Sequence, residues 1–162
     1  LWLFAIAQGL RRRGLDWPLH LVGSPDSPAL TEQLRSLARE HASWFFLHEN
    51  LPRPRLSQLL REYCYGMHAM AEEHFGMAVA EMVRAGCLVF VPRGGGQVEI
   101  VDQQEPLTYL SIEEAVDKIY RVHHDPSLQD QLRHRLAERA QEFHPETFVR
   151  RFLGVVEECL RA

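Results

Sequence analysis

The sequence predicts an α/β protein in which a Rossmann-like parallel sheet is flanked by helices, with further helices at the C-terminal end. Helical patterns, in which apolar residues recur at three- and four-residue spacing, alternate with short apolar runs over residues 1–110. One run, residues 87–91 (CLVFV), is apolar throughout, which is typical of a strand covered on both faces of a sheet. From residue 111 onward the pattern is helical only, so we expect the sheet to end there.

The first part of the chain predicts three helices and two strands. The opening helix, residues 1–13, places Leu3, Ala7 and Leu10 on one face and stops before Gly14. Apolar periodicity predicts the other two helices, and short apolar or aromatic runs predict the strands. The remaining elements are helices at residues 29–40 and 56–63, strands at residues 19–24 and 44–47, and turns at residues 25–28 and 51–55.

The second part of the chain predicts three strands, each followed by a loop or a helix. Ser111 and Glu114 form a capping-box pattern at the start of an amphipathic helix, which Pro126 ends. The same periodicity predicts two further helices after that proline. The elements are strands at residues 65–70, 87–91 and 107–110, and helices at residues 77–85, 112–125, 127–143 and from residue 145 to the C-terminus.

The composition excludes several classes of function. A formal net charge of -4 and a pI near 6.1 give no overall attraction to nucleic acid. No run of about 18 apolar residues occurs, so the sequence predicts no segment that spans a bilayer. The three cysteines and nine histidines show no zinc-ligand spacing, so we expect no metal site, and the cysteine pattern fits a reducing compartment.

Two acids, Glu73 and Glu81, flank a predicted junction between a strand and a helix. Between them lie His74, Phe75 and Gly76, after which the helical pattern begins at Met77. The N-terminus of a helix offers unpaired backbone N–H groups and the positive end of the helix dipole, which suit a diphosphate. Small residues, Ala78 and Ala85, occupy the positions beside Glu81 on the helix and leave room for a ligand.

A structural explanation of the same two acids stands beside this one. Glu73 is also the kind of residue that favours the start of a helix, where an acid complements the dipole. Glu81 is three residues before Arg84, so the two can form an exposed pair that contributes about 0.2 to 0.5 kcal/mol. The acids alone therefore do not decide between a ligand site and an ordinary helix surface.

A glycine-rich loop follows the apolar strand of residues 87–91. Gly94, Gly95 and Gly96 permit positive φ and close approach of the backbone to a ligand, although an ordinary turn explains them equally well. Ligands of open parallel sheets bind outside the carboxyl ends of the strands. Because this loop and the Glu73 loop both follow strands, we expect them at the same edge of the sheet.

Four segments of the sequence resemble one enzyme family. They are YGMHAM (residues 65–70), EEHFGMAVAE (72–81), AGCLVFVPRGGGQVEIV (85–101) and SIEEAVDKIYRVHHDP (111–126). In this order they resemble the C-terminal, donor-binding half of the family-four retaining glycosyltransferases of the GT-B fold. The similarity is greatest to the branch of eukaryotic mannosyltransferases that build the lipid-linked oligosaccharide core, and it covers nearly the whole chain.

The resemblance implies roles for the residues of both loops. Glu73, the first residue of the Glu-x7-Glu pair, would be the catalytic residue and would hydrogen-bond hydroxyls of the donor sugar, while Glu81 would bind the ribose. Backbone N–H groups around Phe75, Gly76 and Met77 would meet the sugar and its diphosphate, with His74 beside them. Gly94, Gly95 and Gly96 would form a loop near the donor. His48 occupies a position where the family usually has glycine beside the base.

The resemblance also implies how this domain fits into an enzyme. Residues 1–162 would form a single nucleotide-sugar-binding domain, truncated at its N-terminus, because the family has a first strand and an acceptor domain upstream. The donor would be a nucleotide-diphosphate sugar, no metal cofactor would be needed, and the missing half would bind a carbohydrate or lipid-linked acceptor. We expect this chain by itself to be inactive and its location to be cytoplasmic, with peripheral association at the membrane face.

Two other functions remain compatible with these segments. One is a noncatalytic sugar-nucleotide-binding or interaction module descended from such enzymes. The other is a nucleotide-sugar epimerase of the same architecture, which also binds a uridine diphosphate sugar. The Glu73 to Glu81 segment favours the transferase, and within that class the EHFG motif favours mannose from a guanosine diphosphate donor.

Overall fold

The computed structural model describes residues 1–161, which form two compact units. The first unit is Leu1–Glu62, and the second begins at Tyr63. Both units are α/β, with parallel strands and flanking helices, so the predicted fold class is confirmed. Ala162, the last residue of the predicted domain, lies outside the described residues.

The first unit pairs two parallel strands and packs helices on them. Leu19 pairs with Phe45 at one end of the ladder and Gly23 with Glu49 at the other. Ile6, Leu10 and Phe45 are buried, and Phe4 of the first helix packs edge-on against Phe45 with ring centroids 5.2 Å apart. The elements are α1 Trp2–Arg12, β1 Leu19–Gly23, α2 Pro28–Glu40, β2 Phe45–Glu49 and α3 Arg53–Glu62.

The third helix begins earlier than the sequence predicted. Residues 53–55 of the turn predicted at residues 51–55 form the first turn of α3, and the N–H of Leu56 donates to the carbonyl of Pro52 over 3.0 Å. Proline is tolerated in the first turn of a helix, because an N–H at that position would have no intrahelical partner. A second proline, Pro54, therefore does not delay the helix.

The second unit is built on a three-stranded parallel sheet in the order β3-β4-β5. Its central strand, β4, is buried at every position, as the continuous apolar run predicted. The elements are β3 Tyr65–Met67, α4 Met77–Arg84, β4 Leu88–Pro92, α5 Gln97–Ile100, a 3₁₀ turn Glu105–Leu107, β5 Thr108–Tyr109, α6 Ile112–His123, α7 Pro126–Glu142 and α8 Pro145–Arg161.

Two of the predicted strands in this unit are shorter than expected. The strand predicted at residues 65–70 ends at Met67, although the N–H of His68 still donates to the carbonyl of Phe90 over 3.0 Å. The strand predicted at residues 107–110 is reduced to Thr108–Tyr109. The chain leaves the sheet after Met67 and after Tyr109, and Leu107 belongs to the 3₁₀ turn that precedes β5.

A buried lysine fixes the end of β5 against α6. The Nζ of Lys118 donates to the carbonyl oxygens of Thr108 over 2.6 Å and Glu105 over 2.8 Å. It also pairs with the carboxylates of Glu105 and Glu114, at 2.6 and 2.8 Å. Lys118 lowers the pKa of both acids, chiefly by hydrogen bonding to them. A buried ammonium is therefore fully compensated here.

The start of α6 is capped almost as the sequence predicted. The side chain of Ser111 accepts the N–H of Glu114 over 3.1 Å. The Glu114 carboxylate accepts the N–H of Leu110 over 2.7 Å, one residue before the position of a standard capping box. The cap therefore also orders the residue that leaves β5.

The last helix exposes most of its apolar side chains. These are Phe148, Val149, Phe152, Leu153, Val155, Val156 and Leu160. Among residues 1–161, no helix has the length and apolar character that crossing a membrane requires.

Candidate functional site

Two loops leave neighbouring strands of the second unit at the same sheet edge. The acid loop, residues 68–76, follows β3, and the glycine loop, residues 93–96, follows β4. Tyr65 pairs with Leu88 and Met67 with Phe90, so the two strands run in parallel and end side by side. The prediction that both loops lie at the carboxyl edge of the sheet is confirmed.

The glycine loop packs directly on the backbone of the acid loop. The N–H of Gly96 donates to the carbonyl of Glu73 over 2.8 Å. Gly95 has a φ of +68°, and a Cβ atom there would lie 2.9 Å from the Glu73 amide nitrogen and closer still to its carbonyl oxygen. A Cβ atom at Gly96 would collide with the carbonyl of His74. Glycine is therefore required here because two backbones touch.

Gln97 ties the two loops together, and sequence analysis did not identify it. Its side chain is fully buried, and Nε2 donates to the carbonyl of Met70 over 2.7 Å and to that of Gly94 over 3.2 Å. Its Oε1 is buried without a hydrogen bond among the described residues. The only signal in the sequence was an amide directly after three glycines, which does not reveal burial.

The N-terminus of α4 begins at a buried glycine that is flanked by exposed residues. Gly76 occupies the N-cap in the left-handed conformation, with a φ of +95°, and no described side chain caps the helix. Phe75 and Met77, on either side, are 53% and 71% exposed. The first backbone N–H groups of a helix have no intrahelical partner, and the helix dipole adds positive potential. The arrangement is therefore suited to an anion such as a diphosphate.

The two predicted acids lie on either side of this helix start. Glu73 is half-buried in the acid loop, where its Oε1 accepts the N–H of Phe75 at 3.4 Å and its Oε2 lies 3.4 Å from Nε2 of His68. Glu81 is half-buried on α4, and Ala78, one turn before it, is exposed. His74 is exposed at the tip of the loop.

A buried tyrosine anchors the start of the acid loop to β5. The hydroxyl of Tyr109 donates to the carbonyl of His68, and the carbonyl of Tyr109 accepts the N–H of Arg93 over 2.7 Å. Burial raises the pKa of Tyr109, so the phenol keeps its proton and remains a donor. One residue of β5 therefore contacts both loops.

Cys87, directly before β4, is a buried residue with no role in the chemistry of this edge. Burial raises the pKa of Cys87 to about 11, so its thiol is unreactive near neutral pH. No cluster of three or more metal-binding side chains occurs in the described part of the chain.

His48, whose role the sequence left open, belongs to the first unit. It lies on β2, and its Nε2 is 2.9 Å from Nδ1 of His20 on β1. The two rings stack with centroids 5.1 Å apart, and Phe46 stacks on the ring of His20 at 4.8 Å. Burial and the neighbouring His48 lower the pKa of His20.

Two curated relatives are mannosyltransferases. The chain is 26% identical over 160 residues to GDP-Man:Man(3)GlcNAc(2)-PP-Dol alpha-1,2-mannosyltransferase of Dictyostelium discoideum, which covers 93% of this chain and 31% of the relative. It is 27% identical over 176 residues to the Homo sapiens protein of the same name, covering 99% and 36%. The chain therefore spans about a third of the length of these relatives.

Solved structures share the fold at low sequence identity. The pneumococcal O-GlcNAc transferase GtfA, in complex with UDP and GlcNAc, aligns with a TM-score of 0.79 at 17% identity, over 99% of this chain and 33% of that one. A GtfA/B complex gives 0.78 at 16% identity, covering 97% and 32%. An alpha,alpha-trehalose 6-phosphate synthase from Burkholderia multivorans gives 0.74 at 11% identity, covering 99% and 39%.

The likeness to these structures shows that the fold is that of GT-B glycosyltransferases. A family model described as glycosyl transferases group 1 matches residues 3–143, which include the acid loop, α4 and the glycine loop. This chain therefore belongs to the glycosyl transferase group 1 family.

Proposed function

We propose that this chain binds a nucleotide-diphosphate sugar and that the complete protein transfers the sugar to an acceptor with retention of configuration, as a family-four glycosyltransferase. The observation that supports this most strongly is the N-terminus of α4, which no described side chain caps, with Glu73 before it and Glu81 one turn inside it. An anion-binding helix start between two carboxylates matches a ligand that carries both phosphates and hydroxyls.

The chemistry of glycosyl transfer requires this combination of groups. As the bond to the leaving group breaks, positive charge develops on the sugar ring and negative charge on the departing diphosphate. The N–H groups of Gly76 and Met77 at the start of α4 would stabilise the diphosphate, while that of Phe75 donates to Glu73. Carboxylates that hold hydroxyls would orient the sugar. We expect no metal to be required.

Each acid has a distinct partner in this proposal. Glu73 binds hydroxyls of the donor sugar and stays close to the reacting carbon, whereas Glu81 binds the ribose hydroxyls. His74 and the glycine loop, Gly94 to Gly96, line the donor. We expect Glu73 and Glu81 to contact different parts of the donor and not to act as the acid pair of a glycosidase, in which both carboxyl groups flank one bond.

GDP-mannose is the donor that we propose. The two mannosyltransferases named above are described as using GDP-Man, and the acceptor in their names is a dolichol-linked oligosaccharide. A lipid-linked acceptor would be bound by parts of the complete protein beyond this chain. We propose that the protein acts at the cytoplasmic face of a membrane, where it would associate peripherally.

Calorimetry on the complete protein tests the proposal. GDP-mannose, GDP and UDP-N-acetylglucosamine are titrated into the wild type, Glu73→Ala and Glu81→Ala. Loss of a hydrogen bond to a charged group corresponds to roughly tenfold or more in affinity. We expect Glu81→Ala to weaken GDP-mannose and GDP alike, because both contain the ribose. We expect Glu73→Ala to weaken GDP-mannose only.

A matched control is Glu138→Ala, which removes an exposed acid from the surface of α7. It should bind every ligand as the wild type does. Wild-type protein that binds none of these ligands, or a Glu81→Ala variant with unchanged affinity, would refute the proposed site. A second assay follows mannose transfer from GDP-mannose to a lipid-linked acceptor. Binding without transfer would favour a noncatalytic sugar-nucleotide module, and a change of the sugar's configuration would favour an epimerase.

A further inference from the structure

His68 begins the acid loop, and its backbone is held on both sides. Its N–H donates to the carbonyl of Phe90 on β4 over 3.0 Å, and its carbonyl accepts the hydroxyl of Tyr109 on β5. Both partners are fully buried residues of the sheet. The position of this histidine is therefore set by the sheet rather than by the loop that follows it.

The imidazole of His68 faces the carboxylate of Glu73. Nε2 lies 3.4 Å from Oε2, and the two side chains are only 21% and 25% exposed. Nε2 is buried, yet this contact is too poorly aligned to be a hydrogen bond, and no other described residue provides one. A buried polar atom without a partner is uncommon in native proteins and costs free energy. A small change in either side chain would bring the pair to about 2.8 Å, a usual length for a bond to a carboxylate.

The second carboxylate oxygen already has a partner within the loop. Oε1 of Glu73 accepts the N–H of Phe75 at 3.4 Å. A carboxylate offers about four lone-pair sites, so two contacts from the protein leave sites for ligand hydroxyls. Contacts on both oxygens would restrict the carboxylate to one orientation, which is what a residue that holds a sugar requires.

We propose that His68 is a positioning residue for Glu73. Its Nε2–H donates to Oε2 in the donor-bound state and directs the remaining lone pairs of the carboxylate toward the hydroxyls of the sugar. His68 itself does not touch the donor. The inference rests on the proposed function, because it assumes that Glu73 binds the sugar. It follows that His68 affects affinity for the sugar moiety and not for the nucleotide.

The test compares GDP-mannose with GDP by calorimetry on the complete protein. His68→Leu removes the N–H group that would donate a hydrogen bond to Glu73. His68→Gln places an amide near the position of Nε2, whereas His68→Asn places its amide too far from Glu73. We expect His68→Leu and His68→Asn to bind GDP-mannose roughly tenfold more weakly than the wild type. We expect His68→Gln to stay within about threefold of the wild type, and GDP to bind all of them equally.

A double variant separates positioning from a general loss of structure. If His68 acts through Glu73, the double variant His68→Leu/Glu73→Ala binds GDP-mannose no more weakly than Glu73→Ala alone. His134→Leu is the matched control, because His134 is also 3.4 Å from a glutamate, on the exposed surface of α7. It should have no effect on either ligand.

The outcomes distinguish this inference from the proposed function. Wild-type protein that binds neither GDP-mannose nor GDP overturns both. Wild-type binding of GDP-mannose together with unchanged affinity in His68→Leu overturns the inference alone. Equal losses for GDP and GDP-mannose would also overturn it, since they would show a structural role. If His68→Leu does not fold, the comparison of His68→Gln with His68→Asn decides, and equal affinities of these two overturn the inference.

Discussion

The backbone N–H of Gly96 donates a hydrogen bond of 2.8 Å to the carbonyl of Glu73. Through this bond the glycine loop supports the residue that we propose binds the donor sugar. The two loops follow adjacent parallel strands, so the sheet determines the position at which each loop begins. The direct contact between the two loops then holds their remaining residues in place. The candidate site therefore depends on packing between two backbones as well as on its acids.

The first prediction concerns the close approach of the two loops. Gly95→Ala should lower the free energy of unfolding by about 2 to 3 kcal/mol, because it combines a positive φ with a steric collision against Glu73. Binding of GDP-mannose should weaken at the same time. Chemical denaturation and calorimetry measure the two effects.

Gly86→Ala is the matched control for this variant. Gly86 has a φ of +94°, but a Cβ atom there would meet nothing within 4 Å. The control should cost only the strain of the left-handed conformation, about 1 to 2 kcal/mol, and should leave GDP-mannose binding unchanged. Equal binding by Gly95→Ala and Gly86→Ala would show that contact between the loops is unimportant for the donor.

The second prediction concerns the buried amide of Gln97. Gln97→Met keeps the volume but removes the donor, so the carbonyls of Met70 and Gly94 lose a hydrogen bond. We expect a loss of about 1 to 3 kcal/mol in the free energy of unfolding. Urea denaturation measures the loss, and Gln131→Met on the exposed surface of α7 provides the control. If Gln97→Met loses no more stability than the control does, the hydrogen bonds of Gln97 do not stabilise the packing of the two loops.

The third prediction concerns Lys118. Lys118→Met should reduce the free energy of unfolding by about 2 kcal/mol, because the carbonyls of Glu105 and Thr108 and two carboxylates lose their shared partner. Arg121→Met, on the same helix and 59% exposed, should cost less than about 1 kcal/mol. Similar losses in the two variants would show that burial of the lysine is unimportant.

The acids that Lys118 contacts make this loss dependent on pH. Their pKa is lowered in the folded protein, so their contribution is present above the unfolded value of about 4.5 and is lost as the pH falls through the lower folded pKa. The difference in unfolding free energy between wild type and Lys118→Met should therefore shrink from pH 7 toward pH 3. A difference that stays constant over this range would show that the ionised carboxylates of Glu105 and Glu114 do not stabilise the protein through Lys118.

The fourth prediction concerns the histidine pair of the first unit. Burial, with His48 beside it, lowers the pKa of His20, so the folded state favours neutral imidazole. The contribution of neutral His20 to the free energy of unfolding is fully present above the unfolded pKa of about 6.5. This contribution is lost as the pH falls through the lower pKa of His20 in the folded state. All three tryptophans, Trp2, Trp17 and Trp44, lie in this unit, so their fluorescence reports its melting.

His20→Asn tests the source of this pH dependence. The amide retains a polar group near Nδ1 but does not titrate. The wild type should melt at a lower temperature at pH 5 than at pH 8, and His20→Asn should show a smaller difference between these two conditions. An equal difference in the two proteins would mean that other groups cause the dependence.

Hydrophobic periodicity predicted most of the elements, because it reports which side of a segment is buried. The apolar run at residues 87–91 became the fully buried strand Leu88–Pro92, and the helix predicted at residues 77–85 is observed at Met77–Arg84. The edge strands were predicted too long. The last apolar residues of each predicted edge strand leave the sheet to form a loop. The local sequence pattern is the same whether such residues lie in a strand or in the loop after it.

The sequence placed both loops of the candidate site at one edge but not the contacts that hold them together. Glu73 and the three glycines were identified from their positions after strands. The sequence did not reveal the role of Gln97, because that role depends on packing against Met70, which is more than twenty residues away in the chain. It did not reveal that His68 faces Glu73, because that depends on the path of the acid loop. The structure explains the glycines by backbone contact, which the sequence could not distinguish from an ordinary turn.

The most direct test of the proposed site is a crystal structure of the complete protein with GDP-mannose bound. We predict that diphosphate oxygens lie within hydrogen-bonding distance of the backbone N–H groups of Gly76 and Met77. The sugar hydroxyls should contact Glu73, and the ribose hydroxyls should contact Glu81. A donor bound away from the start of α4, with neither carboxylate in contact with it, would contradict the account.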